Sequence, residues 1–147
     1  MQTCAWRSWA TSPACSGSAS IGTGTSFANF PMALDLKARR LAVVFRAPSE
    51  LRIYALADRS LLATLRTCGD ADDLFVDARR NRIYVVCGEG VVEVVEPRGT
   101  GYASVGRIAT APGARTGLWS AKFDRLYVAA PARGGPGARV IVLKPSP

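Results

Sequence analysis

The sequence predicts an all-β fold: a partial β-propeller of about three antiparallel four-stranded blades, the last of them incomplete. Three observations lead there. From residue 28 onward the texture is Val, Leu, Ile and Tyr broken by Gly, Pro, Asp and Arg; the chain repeats itself with a period near 42; and each repeat parses into short strands separated by turn chemistry.

The repeat is visible in two independent blocks. Leu34-Asp35-Leu36-Lys37-Ala38-Arg39-Arg40-Leu41-Ala42-Val43-Val44 lies over Val76-Asp77-Ala78-Arg79-Arg80-Asn81-Arg82-Ile83-Tyr84-Val85-Val86 at an offset of 42. It lies again over Trp119-Ser120-Ala121-Lys122-Phe123-Asp124-Arg125-Leu126-Tyr127-Val128-Ala129, 43 residues further on. A second block, Leu61 to Thr67, matches Ser104 to Thr110 at the same offset of 43.

Taken in chain order, the first repeat (28–71) has strands a to d at 32–35, 41–46, 51–56 and 61–67. Ala55 to Arg66 consists of good helix formers and by propensity alone reads as a helix, but the register of Leu65 with Ile108 makes it a strand. The second repeat (72–114) has strands at 74–77, 83–87, 91–95 and 103–110, with Gly88-Glu89-Gly90 as a tight b-to-c turn. The third (115–147) has 117–120, 126–130 and 138–143, after a Gly134-Gly135-Pro136-Gly137 turn. Residues 1–27 are rich in Ser, Thr, Ala and Gly, match no repeat and read as low-complexity, disordered or mis-started sequence.

The strings NRIYVVCGEG and DRLYVAAPARGG, each after a short basic turn, resemble the YVTN or YncE-like bacterial β-propeller repeats over residues 30–143. The chain departs from that pattern at Ala42, where the repeat tyrosine is expected, and at Cys87 and Ala130, which replace its asparagine. The resemblance implies a non-catalytic binding or scaffold module and a parent family commonly periplasmic or secreted; no cofactor is expected. At about 2.7 blades the chain is expected to be the C-terminal part of a larger propeller, because closed rings have four to eight blades. Several copies completing a ring is the alternative, and Ser16 to Thr25 is the local candidate for the absent fourth strand.

Composition bounds the chemistry. The 147 residues are 48% hydrophobic and carry a net charge of +8, almost all of it arginine, since Lys37, Lys122 and Lys144 are the only lysines. That suits one globular unit rather than a disordered chain. The absence of histidine removes Ser-His-Asp and Cys-His nucleophiles and histidine-ligated zinc or haem. No run of 18 apolar residues and no convincing signal peptide is present.

The remaining motifs are weak. Asp70, Asp72 and Asp73, with Glu89 on the same rim, resemble a calcium loop but lack the glycine and distal glutamate of an EF-hand, so they read as a turn into strand a and no metal is expected. Tyr84 and Tyr127 read as packing residues.

With strands alternating in direction, the a-to-b and c-to-d turns share one rim. That rim carries Arg39, Arg40, Arg79, Arg80, Arg82 and Arg125, together with Lys37, Arg59, Arg98 and Lys122, while Glu50, Glu89 and the aspartates fall on the other. A basic rim suits an unidentified protein or another anionic partner. The bland reading is arginines solvating turns, and specific nucleic-acid recognition is not expected because no aromatics interleave them. Cys68 and Cys87 end on one rim of one blade, where they form either a disulfide or two buried free thiols. Open blades are expected to self-associate. A fragment of a propeller enzyme, a lactonase-like hydrolase or a dehydrogenase subunit, is the second functional reading; such a site draws side chains from several blades at the ring's centre.

Overall fold

Alternate side chains of a strand point to opposite faces of its sheet, so a strand that is apolar at every position belongs to a sheet packed on both sides. Residues 83–87 (Ile-Tyr-Val-Val-Cys) have that character, and the structure buries all five. The structure, a computed structural model, describes residues 20–26, 28, 31–133 and 137–147. Cys4, Cys15, residues 16–19 and the Gly134-Gly135-Pro136 stretch lie outside the described residues.

Three antiparallel sheets follow one another. The first blade holds β1 (Met32–Asp35), β2 (Arg40–Arg46), β3 (Ser49–Ala55) and β4 (Leu61–Arg66), paired in that order. The second holds β5 (Ala71–Asp77), β6 (Arg82–Cys87), β7 (Val91–Arg98) and β8 (Gly101–Ala109), and the third β9 (Thr116–Ser120), β10 (Arg125–Ala130) and β11 (Arg139–Leu143). Among the described residues there is no helix. The Ala55–Arg66 stretch is the end of β3, a turn and β4, as the repeat register requires.

Two strands differ from the sequence reading by three residues at one end. The strand expected from residue 74 starts at Ala71, with a register shift between Ala71 and Asp73. Aspartate is depleted in strands, yet here arginine and amide partners from neighbouring blades satisfy Asp72 and Asp73. The strand expected over 91–95 continues to Arg98, which pairs with Gly101 across a turn where Gly99 has φ 56°.

The blades stack by a repeated rule. Ala42, Val44, Leu51 and Ile53 form the leading face of the first blade and pack against Ile83, Val85, Cys87 and Val95 on the trailing face of the second. Tyr84, Val86 and Val92 form the next leading face and meet Leu126, Val128 and Ala130 of the third blade. Tyr84 and Trp119 pack with ring centroids 5.4 Å apart. Gly117 lets the inner strands approach, since a Cβ there would lie 3.1 Å from both the Phe75 ring and the Tyr127 carbonyl oxygen.

Both outermost faces are partly open: on the first blade's trailing face Met32 and Leu34 are 58% and 56% exposed. Val43, Phe45 and Tyr54 on the first blade's trailing face are buried with Ile21 against them. Ser20 to Thr25 forms no strand and lies on that face rather than completing the third blade. On the third blade's leading face Leu118, Val140 and Val142 are 62%, 64% and 54% exposed.

Replacing Leu51, fully buried between the first two blades, with Ala is expected to cost about 2–5 kcal/mol. The same change at exposed Leu118 should cost less than about 0.5 kcal/mol in the dilute chain. Equilibrium urea unfolding measures both, and equal losses would contradict the stacking order.

Candidate functional site

The a-to-b turn is built three times from equivalent residues. Asp35 Oδ1 accepts the Ala38 amide at 2.9 Å, Asp77 Oδ1 accepts those of Arg79 and Arg80 at 3.1 and 3.2 Å, and Ser120 Oγ accepts that of Phe123 at 3.4 Å. Each turn then closes through a left-handed residue at the same repeat position: Arg39 at φ 55°, Asn81 at 56° and Asp124 at 53°. Asn and Asp tolerate that region better than most residues and are common there.

Arginines tie successive turns together. Arg40 NH2 donates to Asp35 Oδ2 and to Asn81 Oδ1 of the next blade, both at 2.9 Å, and Arg40 NH1 donates to the Tyr102 hydroxyl. Arg80 donates to Asp77 Oδ2 at 2.8 Å and makes a two-pronged contact with Asp124 of the third blade at 2.7 and 2.8 Å. Arg82 is held by Glu96 at 2.7 Å and by the Ser146 carbonyl, and Arg125 by the carbonyls of Phe123 and Asp124.

The basic rim therefore divides in two. Arg40, Arg80, Arg82 and Arg125 are structural. Arg39 and Arg79, with Lys37, Arg59 and Lys122, make no ion pair among the described residues.

Asp77 is 2% exposed. Burial pushes its carboxyl up, but the Arg80 side chain and amide, with the Tyr84 hydroxyl, hold it below the ordinary aspartate value. Burial and the Asp77 charge push Tyr84 up to about 12.

The opposite rim is charge-matched rather than simply acidic. Arg46 bonds the Ala71 carbonyl at 3.0 Å and pairs with Asp72 and, at 3.3 Å, with Asp70. Arg115 closes the cluster from the third blade, at 2.6 Å to Asp70 and 2.9 Å to Asp72. Asp73 faces away and accepts the Gly117 amide at 2.6 Å; burial raises its carboxyl above the ordinary value. Glu89 Oε2 accepts the Gly69 amide at 2.8 Å and pairs with Arg107 at 3.5 Å.

The acidic residues do not form one turn, since Asp72 and Asp73 lie within β5. Guanidinium groups occupy the space around Asp70 and Asp72. Among the described residues no group of three or more His, Cys, Asp or Glu is arranged to hold a metal.

The sequence reading passed over Arg46, Arg115 and Glu93. Glu93 is 1% exposed and shares the trailing face of β7 with Val91 and Val95, so strict alternation in Val-Val-Glu-Val-Val was the available signal for a buried carboxylate. Its Oε2 accepts the Thr67 hydroxyl and the Cys68 amide, each at 2.7 Å, and Arg107 lies 3.5 Å from its Oε1. Burial raises its carboxyl, but the Ser104 and Thr67 hydroxyls, the Cys68 amide and Arg107 together outweigh that and bring it below the ordinary value. Beside it a disulfide joins Cys68 to Cys87 with Cα atoms 5.9 Å apart.

No protein-family model matches the chain, and no curated protein sequence matches it. Among solved structures, Kuenenia stuttgartiensis hydrazine synthase, a β-propeller-containing protein, aligns with a TM-score of 0.66 at 13% identity. The alignment covers 78% of this chain and 33% of that one, so the chain spans about a third of the length of that structure. At this identity the likeness shows the fold alone: the chain is an all-β protein of propeller-like blades.

Asp77 and Glu93 have folded values below their unfolded ones, so the stability they add is complete above the unfolded carboxylate range and is lost as pH falls through the folded values. Asp73, raised on folding, acts in the opposite sense. The unfolding free energy is therefore expected to fall from pH 7 to pH 3. Glu93→Gln should lower it by about 1–3 kcal/mol at pH 7 and flatten the acid slope. Urea titrations of both proteins at the two pH values check this, and parallel slopes would contradict it. Reducing the disulfide, which links residues 19 apart, should cost about 3 kcal/mol in the same assay.

Proposed function

We propose that residues 28–147 form a non-catalytic β-propeller repeat module of the YVTN/YncE-like kind, part of a larger propeller, that binds an anionic partner and belongs to an oxidising compartment. The observation carrying this reading is the third blade's leading face. Leu118, Val140 and Val142 occupy the positions that Phe75, Val92 and Val94 hold in the second blade, where the third blade covers them. A face of that composition calls for a further blade. The buried carboxylates support binding over catalysis, because Asp35, Asp77 and Glu93 are each committed to arginines, hydroxyls or backbone amides. The ion pairs that exclude Lys37, Arg39 and Arg79 leave those cations to an anionic partner, and the Cys68–Cys87 bridge suits export.

Light scattering on the purified 147-residue chain is expected to show self-association through the open faces. A clean, cooperatively folding 15.6 kDa monomer would sink the larger-propeller reading. Non-reducing peptide mapping of protein recovered from an oxidising compartment should yield the Cys68–Cys87 peptide, and both cysteines alkylated would remove the reason for export.

A further inference from the structure

We infer that the rim formed by the a-to-b and c-to-d turns docks on an anionic lipid surface, with Lys37, Arg39 and Arg79 at the headgroups and Leu36 and Phe123 seated in the interface. This deepens, and rests on, the reading of the chain as a module for an anionic partner.

Three observations combine. First, among the described residues more cations without an ion pair stand on this rim, where Lys37, Arg39, Arg59, Arg79 and Lys122 are found, than on the other, where Arg66, Arg133 and Arg139 are. Arg46, Arg107 and Arg115 of the opposite rim are matched by Asp70, Asp72, Glu89 or Glu93, whereas Lys37, Arg39 and Arg79 meet no carboxylate within ion-pair distance among the described residues. Second, the same turn tips carry large apolar side chains that stand mostly in solvent: Leu36 is 75% exposed and Phe123 64%. Lys122 lies over the Phe123 ring at 5.8 Å, so cation and ring share one tip. Third, the tips are rigidly spaced, because the Arg40–Asn81 and Arg80–Asp124 contacts bind each turn to the next.

This combination selects the ligand. A soluble polyanion would satisfy the cations but would leave Leu36 and Phe123 in water. A bilayer with acidic headgroups accommodates both, attracting the basic side chains electrostatically and burying the apolar tips at the level of the acyl boundary. The cleft between the first two turns has a volume of about 400 Å³ and is lined by Lys37, Arg40, Arg79, Arg80 and Asn81 together with one carboxylate, Asp35, which Arg40 already neutralises.

The test is vesicle flotation of the full chain, which separates bound protein from sedimenting aggregates, using phosphatidylcholine vesicles with and without 30% phosphatidylserine. Binding is expected to the anionic vesicles alone and to weaken at high salt. Lys37→Gln, Arg39→Asn and Arg79→Gln together should reduce affinity roughly a hundredfold, at about fivefold per adsorbed cation. Leu36→Ser with Phe123→Ser should reduce it roughly tenfold. Arg66→Gln with Arg139→Gln, exposed on the other rim, should change neither affinity nor folding. Equal binding to neutral vesicles, or no effect of the apolar pair, would overturn the proposal. Binding to heparin but not to vesicles would also overturn it, while leaving the anionic-partner reading in place.

Discussion

The second blade is buried on both faces, and the rest of the structure depends on that constraint. β6 contributes Ile83, Val85 and Cys87 to one core and Tyr84 and Val86 to the other, so each side chain along it belongs to one of two different interfaces. Neither flanking blade has an independent core at those junctions. Folding of one sheet therefore supplies the apolar surface on which the next condenses, which makes stability cooperative along the repeat and leaves the outermost faces as the places where the chain meets something else.

At the edges of these cores, where water reaches the sheets, arginine takes over from apolar packing. Arg40 and Arg80 bridge successive a-to-b turns on one rim, and Arg46 and Arg115 bring the first and third blades to the same aspartates on the other. Guanidinium suits this task because its planar fork reaches two acceptors at once and stays charged. Asp35, Asp72, Asp77 and Asp124 are the carboxylates that these bridges use. Glu93 is a carboxylate in a valine strand, kept ionised by hydroxyls, an amide and Arg107 beside the disulfide.

Once those bridges are made, the charge that is left has a direction. The rim that keeps Lys37, Arg39 and Arg79 outside ion pairs is also the rim with Leu36 and Phe123 at its tips, while the apolar face of the third blade points sideways toward where a next sheet would stand. The molecule thus offers two kinds of surface at right angles in function: one apolar and sheet-shaped, fit for another blade, and one cationic with apolar points, fit for an acidic interface.

Much of this was legible in the residues. The repeat at offsets of 42 and 43, the strand order, the alternation that makes Val43 and Val44 face opposite ways, and the grouping of turns into two rims all follow from period-two geometry and turn chemistry, which are local. What the sequence left open needed the third dimension. Whether Cys68 and Cys87 are bridged depends on strand pairing that brings Ala71 beside Cys87. That Asp72 and Asp73 continue a strand depends on Arg46, Arg115 and the Gly117 amide arriving from other blades. Six rim arginines look alike in the chain, yet Arg40 and Arg80 bridge successive blades, Arg82 and Arg125 are held by Glu96 or by backbone carbonyls, and Arg39 and Arg79 make no ion pair among the described residues. Periodicity assigns a side chain to a face or a rim; which partner neutralises it is decided by distances between residues tens of positions apart, and those exist only after the blades have stacked.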